Sequence, residues 1–139
     1  NVIIGLNEQR DVEDSNNEEE EVKKFGASYN FGQFAVGAEI QQMEHEGNSS
    51  ANGVGQDRDQ HEFAVSYAAS DNITIGLTYT EVTDETSGST APDEEITTLN
   101  VGYNLGGMNI IASYVDASDI GNVANQDASG LVIRTKMGF

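Results

Sequence analysis

The sequence predicts an all-β fold, a transmembrane antiparallel up-and-down β-barrel built here from eight strands, with residues 1–139 forming a single barrel segment. Three observations predict it. Apolar residues recur at every second position in eight stretches, and helical spacing dominates nowhere. The links between stretches alternate strictly between long and short. No window of about 18 apolar residues exists, so a membrane-crossing helix is not encoded.

The alternating stretches are Val2–Gln9, Val22–Asn30, Phe34–Met43, His61–Ala69, Ile73–Glu81, Ile96–Asn104, Met108–Val115 and Leu131–Phe139. Their lengths are close to the ~9–11 residues that a tilted strand needs to cross a bilayer. Residues 31–33, 70–72 and 105–107 make tight turns, whereas 10–21, 44–60, 82–95 and 116–130 make long polar loops. A soluble sandwich has no reason to sort its links by length. A membrane barrel has one, because short turns collect on the periplasmic rim and long loops on the outer rim. The first strand then runs outward and the last runs inward. Residues 1–9 read directly as a strand with no leader-like start, so the chain is expected to be a mature form or a piece of a longer one.

Each stretch has an apolar and a polar phase. Phe25, Ala27 and Tyr29 oppose Lys24, Gly26 and Ser28; Phe34, Val36, Ala38 and Ile40 oppose Ala35, Gly37, Glu39 and Gln41. The later stretches repeat the pattern. The first and seventh are less clean, with Ile3 and Ile111 in the polar phase. The polar phase is mostly Gly, Ala, Ser, Thr and Asn, too small and too polar to fill a dry core, so the apolar phase is expected to face lipid. The mid-strand charges Lys24, Glu39, Arg134 and Lys136 all avoid it, and a charge there would cost roughly 2–4 kcal/mol at the bilayer midplane. All ten aromatic residues follow the apolar phase. Tyr29, Phe31, Phe34, Tyr67, Tyr103 and Phe139 lie toward the tight turns, and Phe63, Tyr79 and Tyr114 toward the long loops, with Phe25 between. Two such bands are what interfacial girdles require.

Composition narrows the function. A net charge of −18, from 24 acids against 6 bases, argues against nucleic-acid binding. There is no cysteine, so no disulfide or thiolate site is possible. No nucleophile motif accompanies His45 and His61, the only histidines, so no catalytic residues and no enzymatic activity are expected. Acidic clusters occur at Asp11, Glu13, Asp14 and Glu18–Glu21, at Asp57 and Asp59, and at Asp93–Glu95. Asp57 and Asp59 are weak candidates for Ca²⁺, but no EF-hand pattern is present, and a solvated acidic rim is the favoured reading. No cofactor is expected. Such a rim concentrates cations, and divalent ions bridging lipopolysaccharide give it a further partner.

The stretch Phe25-Gly-Ala-Ser-Tyr-Asn-Phe-Gly-Gln-Phe-Ala-Val-Gly-Ala-Glu39 resembles the strand–turn–strand repeat of Gram-negative porins, especially the alphaproteobacterial type. Val101-Gly-Tyr-Asn-Leu-Gly-Gly-Met-Asn-Ile-Ile-Ala-Ser-Tyr114 resembles another. The ending Gly130-Leu-Val-Ile-Arg-Thr-Lys-Met-Gly-Phe139 resembles the C-terminal signal read by the barrel assembly machinery. The resemblance implies an outer-membrane channel for passive diffusion of small hydrophilic solutes and ions, usually a homotrimer of barrels of about 16 strands. Eight strands make this chain resemble the C-terminal half of such a barrel. A candidate for the inward-folded constriction loop is lacking. The pore-wall candidates are then Lys24, Glu39, Gln41, Asn100, Arg134 and Lys136. The acidic rim implies mild cation preference. The alternatives are a self-contained eight-stranded outer-membrane barrel with a structural or adhesion role, and, less favoured, a soluble ligand-binding barrel or a barrel enzyme.

Overall fold

Eight strands follow one another in the chain: β1 (Val2–Arg10), β2 (Glu19–Phe31), β3 (Phe34–Glu46), β4 (Arg58–Ala68), β5 (Ile73–Asp84), β6 (Glu94–Asn104), β7 (Met108–Ser118) and β8 (Ala128–Met137). The computed structural model describes residues 2–10, 19–46, 57–86 and 88–137. The strands form one antiparallel sheet in the order β1-β2-β3-β4-β5-β6-β7-β8. This is the all-β up-and-down order that the alternation predicts. The sheet is not closed, and β1 and β8 are its two edges. Phe139, expected on the outer face in phase with Thr135 and Met137, lies outside the described residues.

The strands reach further toward the long loops than the apolar alternation predicts. β2 begins at Glu19 rather than Val22, β3 ends at Glu46 rather than Met43, and β5 ends at Asp84 rather than Glu81. β4, β6 and β8 begin at Arg58, Glu94 and Ala128 rather than His61, Ile96 and Leu131, and β7 ends at Ser118 rather than Val115. Ladder hydrogen bonds join backbones and need no apolar side chain, so pairing continues above the apolar band. The tight turns are as expected. Gly32 (φ 60°) and Gly106 (φ 77°) supply the left-handed positions, and the Gly106 amide donates to Asn104 Oδ1 at 2.8 Å.

Residues directly opposite across antiparallel strands share a face, so the register sorts every side chain. One row joins Tyr29, Val36, Val65, Leu77, Leu99 and Tyr114. The nine aromatic residues among those described share that phase. Ile3 lies opposite Ser28, and Ile111 opposite Gly102 and Arg134, so both fall in the polar phase as the alternation places them. Along β6 exposure alternates strictly from Glu94 to Tyr103, with Leu99, Val101 and Tyr103 exposed and Thr98, Asn100 and Gly102 half-buried. The side bearing small residues is thus the less accessible one, which marks it as concave. Among the described residues no hydrophobic side chain is buried, and the exposed ones include Phe63 at 58% and Leu77 at 45%. A water-soluble protein of this size hides such groups in a core. Here the apolar groups form an outer band.

The ladder is sheared. Phe34 closes the β2–β3 hairpin, and its row runs through Tyr67, Ile75 and Val101. The β6–β7 hairpin closes at Asn104, three residues beyond Val101. If the tight turns share one rim, the rows must slant across the membrane, as tilted barrel strands require. The slant explains why Tyr29 and Tyr114 share a row although one lies near a tight turn and the other near a long loop.

At the tight-turn end of β2–β4 the outer face carries a ladder of rings. Centroids lie 5.7 Å apart for Tyr29–Phe31, 5.7 Å for Phe31–Phe34 and 4.7 Å for Phe34–Tyr67. Phe34 takes part in two of these pairs, each worth about 0.5–1.5 kcal/mol beyond area burial. Phe34→Ala is therefore expected to lower stability by about 1–3 kcal/mol. Urea unfolding in lipid vesicles, followed by tyrosine fluorescence, checks this. Phe34→Leu should lose nearly as much, because it keeps the apolar area but not the stacking.

Candidate functional site

The concave face is the surface on which polar chemistry collects. Its rows follow from the register. Gly26, Glu39, Glu62 and Thr80 make one, and Lys24, Gln41, Gln60, Val82 and Glu94 make the next toward the long loops. Lys24 Nζ reaches Glu39 Oε1 across the strand pair at 3.6 Å. Both side chains are well solvated, so the pair contributes only about 0–1 kcal/mol. Glu39 and Glu62 stand directly opposite each other, a like-charge juxtaposition that opposes folding. Thr80 Oγ1 donates to Glu62 Oε2 at 3.5 Å. Between these strands the concave surface is floored by Gly26, Gly37 and Ala64, whose lack of bulk leaves space above the wall.

Of the six pore-wall candidates, Lys24, Glu39 and Gln41 stand together on β2 and β3. Asn100 lies on the same face of β6, where its Oδ1 accepts from Ser113 Oγ at 2.6 Å. Arg134 and Lys136 lie on β8 near the tight-turn end, opposite Ile111 and Asn109. They are six strands from Lys24 along the sheet, so the structure shows two charged groups rather than one. Sequence reasoning missed three carboxylates on this face. Glu62 shares the phase of Ala64 and Ser66 and was legible from that alone. Asp84 and Glu94 lie in strand ends that the alternation does not predict. Asp84 is at the loop end of β5, outside the apolar band. Hydrogen bonds from Thr86 and Ser89, with Arg58 opposite, hold its carboxyl below the ordinary carboxylate range. The Ser89 hydroxyl donates at 2.7 Å and the Thr86 amide at 3.0 Å.

The two Ca²⁺ candidates are not gathered into a site. Asp59 lies within β4 on the convex phase, where Gln42 Nε2 donates to it at 3.5 Å, and Asp57 precedes that strand. Among the described residues no group of three or more His, Asp or Glu is placed to hold a metal ion. His61 lies on the convex phase opposite Ile40 and Glu81. His45 stands in β3 opposite Glu20. Of the first acidic cluster, Asp11, Glu13, Asp14 and Glu18 lie outside the described residues.

Fold and face together define a class: the wall of a membrane-spanning β-barrel, apolar outside and polar inside. The Gram-negative porin family matches the chain over residues 4–107 and again over 45–137. The chain belongs to the Gram-negative porin family, and the bacterial outer membrane is where it resides. No curated protein and no solved structure matches it. The family points to a channel rather than an enzyme.

Proposed function

We propose that the protein conducts small hydrophilic solutes and ions by passive diffusion through a water-filled lumen, with a mild preference for cations and no catalytic activity. The observation that carries this reading is the segregation by face. The register assigns Lys24, Glu39, Gln41, Asn100, Arg134 and Lys136 to the side opposite the apolar band, and small residues leave room beside them. Carboxylates outnumber bases toward the long-loop end of that side, where Glu39, Glu62, Asp84 and Glu94 meet Lys24 and Arg58. Such a mouth enriches cations by focusing field lines.

The barrel is proposed to have about 16 strands, of which this chain supplies the C-terminal half. The edges β1 and β8 support this, because an open edge cannot face hydrocarbon. Pairing β1 with β8 would instead make an eight-stranded barrel, whose narrow interior must be filled by side chains. The glycine, alanine and serine residues of the concave face do not fill it. Trimerisation, contact with lipopolysaccharide and recognition of Phe139 by the assembly machinery belong to the same proposal, on the family's pattern.

Planar-bilayer recording of the complete protein tests it. Ohmic steps are expected, with a reversal potential of cation-selective sign in a salt gradient. Silence at all voltages, or folding without detergent or lipid, would sink the channel reading. A native mass of 14.9 kDa, that of this chain alone, would sink the half-barrel reading.

A further inference from the structure

We propose that the loop joining β7 to β8, residues 119–127, is a latched constriction of the outer mouth, and that Asn122 is the positioning residue that holds it inward. This rests on the channel reading above. Asn122 is the one buried residue among those described, at 7% exposure. Its Nδ2 donates to the Val82 carbonyl at 2.8 Å and to the Pro92 carbonyl at 2.9 Å. The adjacent Gly121 amide donates to Glu94 Oε2 at 3.1 Å. These anchors belong to the rim of β5 and β6. The loop therefore turns back over β6, away from the strand it leads to, and Glu94 brings it to the concave side.

The loop is built to hold that path. Asp119, Gly121, Asn122 and Asn125 all take left-handed backbone conformations, with φ of 50°, 68°, 60° and 62°. Asn, Asp and Gly tolerate these best. Asp119 Oδ1 accepts from the Asn125 amide at 2.8 Å, Asp127 Oδ1 accepts from the Asp119 amide at 3.2 Å, and the Ile120 amide donates to the Gln126 carbonyl at 2.8 Å. These bonds make the loop one hydrogen-bonded unit, and three bonds tie that unit to the rim. Asn is the side chain that can present two donors to two carbonyl oxygens while adopting a left-handed backbone. Aspartate would keep the shape but set a carboxylate against those oxygens.

The test uses the complete protein in planar bilayers, with Asn122→Ala, Asn122→Asp and Glu94→Ala as unlatching variants. Asn125→Asp and Glu94→Gln are controls. The first adds a similar charge without touching an anchor, and the second keeps an oxygen that accepts from Gly121. Losing two hydrogen bonds should favour loop release roughly tenfold. The unlatching variants are expected to show a larger open-level conductance with more frequent flicker, and faster proteolysis within 119–127 of the folded protein, roughly tenfold for the Asn122 variants and less for Glu94→Ala, which removes one bond. Each control should match the wild type in proteolysis and flicker, and its conductance should stay below that of the unlatching variant that makes the same charge change, Asn122→Asp for Asn125→Asp and Glu94→Ala for Glu94→Gln. Wild-type channels with unchanged unlatching variants would overturn the latch alone. A wild-type protein that forms no channels would overturn the channel reading, and the mouth constriction with it. Faster proteolysis with unchanged conductance would overturn the constriction as well.

Discussion

Val65→Arg is expected to destabilise the folded barrel by about 2–4 kcal/mol in lipid vesicles, while Ser66→Arg, one residue along, should change stability by less than about 0.5 kcal/mol. Val65 lies at the middle of the apolar band, between Val36 and Leu77 in one row, and is 41% exposed on the convex side. A guanidinium there must snorkel or drag water into hydrocarbon. Ser66 stands between Ala35 and Gly76 on the concave side, where an arginine has room and water. Equilibrium urea unfolding with reversible refolding into vesicles measures both. Equal costs for the two variants would refute the assignment of faces, whatever their absolute size. Ser66→Arg should also shift ion selectivity toward anions, which Val65→Arg should not.

The second large effect concerns charge on the concave side. Replacing both Glu39 and Glu62 with glutamine should lower the cation-over-anion permeability ratio by roughly twofold to fivefold. Lys24→Gln should raise it, because it removes the cation that sits 3.6 Å from Glu39. Arg134→Gln and Lys136→Gln should raise it too, but act at the opposite rim. Reversal potentials in a salt gradient give the ratio. Repeating them at ~1 M salt, where the screening length falls to about 3 Å, should shrink every difference. A double glutamine variant with unchanged selectivity would remove Glu39 and Glu62 from the conduction path.

Much of this architecture is legible in the amino-acid sequence, and the reason is the period of the pattern. A strand buried on one face alternates every second residue, so Phe34-Ala-Val-Gly-Ala-Glu-Ile40 specifies both its conformation and its two faces. The small residues at Gly26, Gly37 and Gly76 pointed to space rather than to a core. What alternation cannot carry is where pairing stops. Arg58–Gln60, Thr83–Asp84 and Glu94–Glu95 are polar, yet their backbones still find partners across the ladder. Two concave carboxylates, Asp84 and Glu94, were hidden by that extension. Asn122 was illegible for another reason. Its value depends on a loop path that brings it beside Val82, 40 residues earlier in the chain. No local signal encodes that meeting.

The pairing that continues past the apolar band has a consequence for what the outside world encounters. β2 and β3 are each 13 residues long, about 44 Å at ~3.4 Å per residue. Tilted by roughly 40°, they rise about 34 Å, against an apolar band of about 25 Å. The surplus stands as a hydrogen-bonded palisade within the polar layer above the lipid. A macromolecule that reaches the strand ends there would meet a hydrogen-bonded, acid-studded collar. On the proposed channel function the same collar lengthens the path of a small solute, and the resistance of a pipe grows with its length.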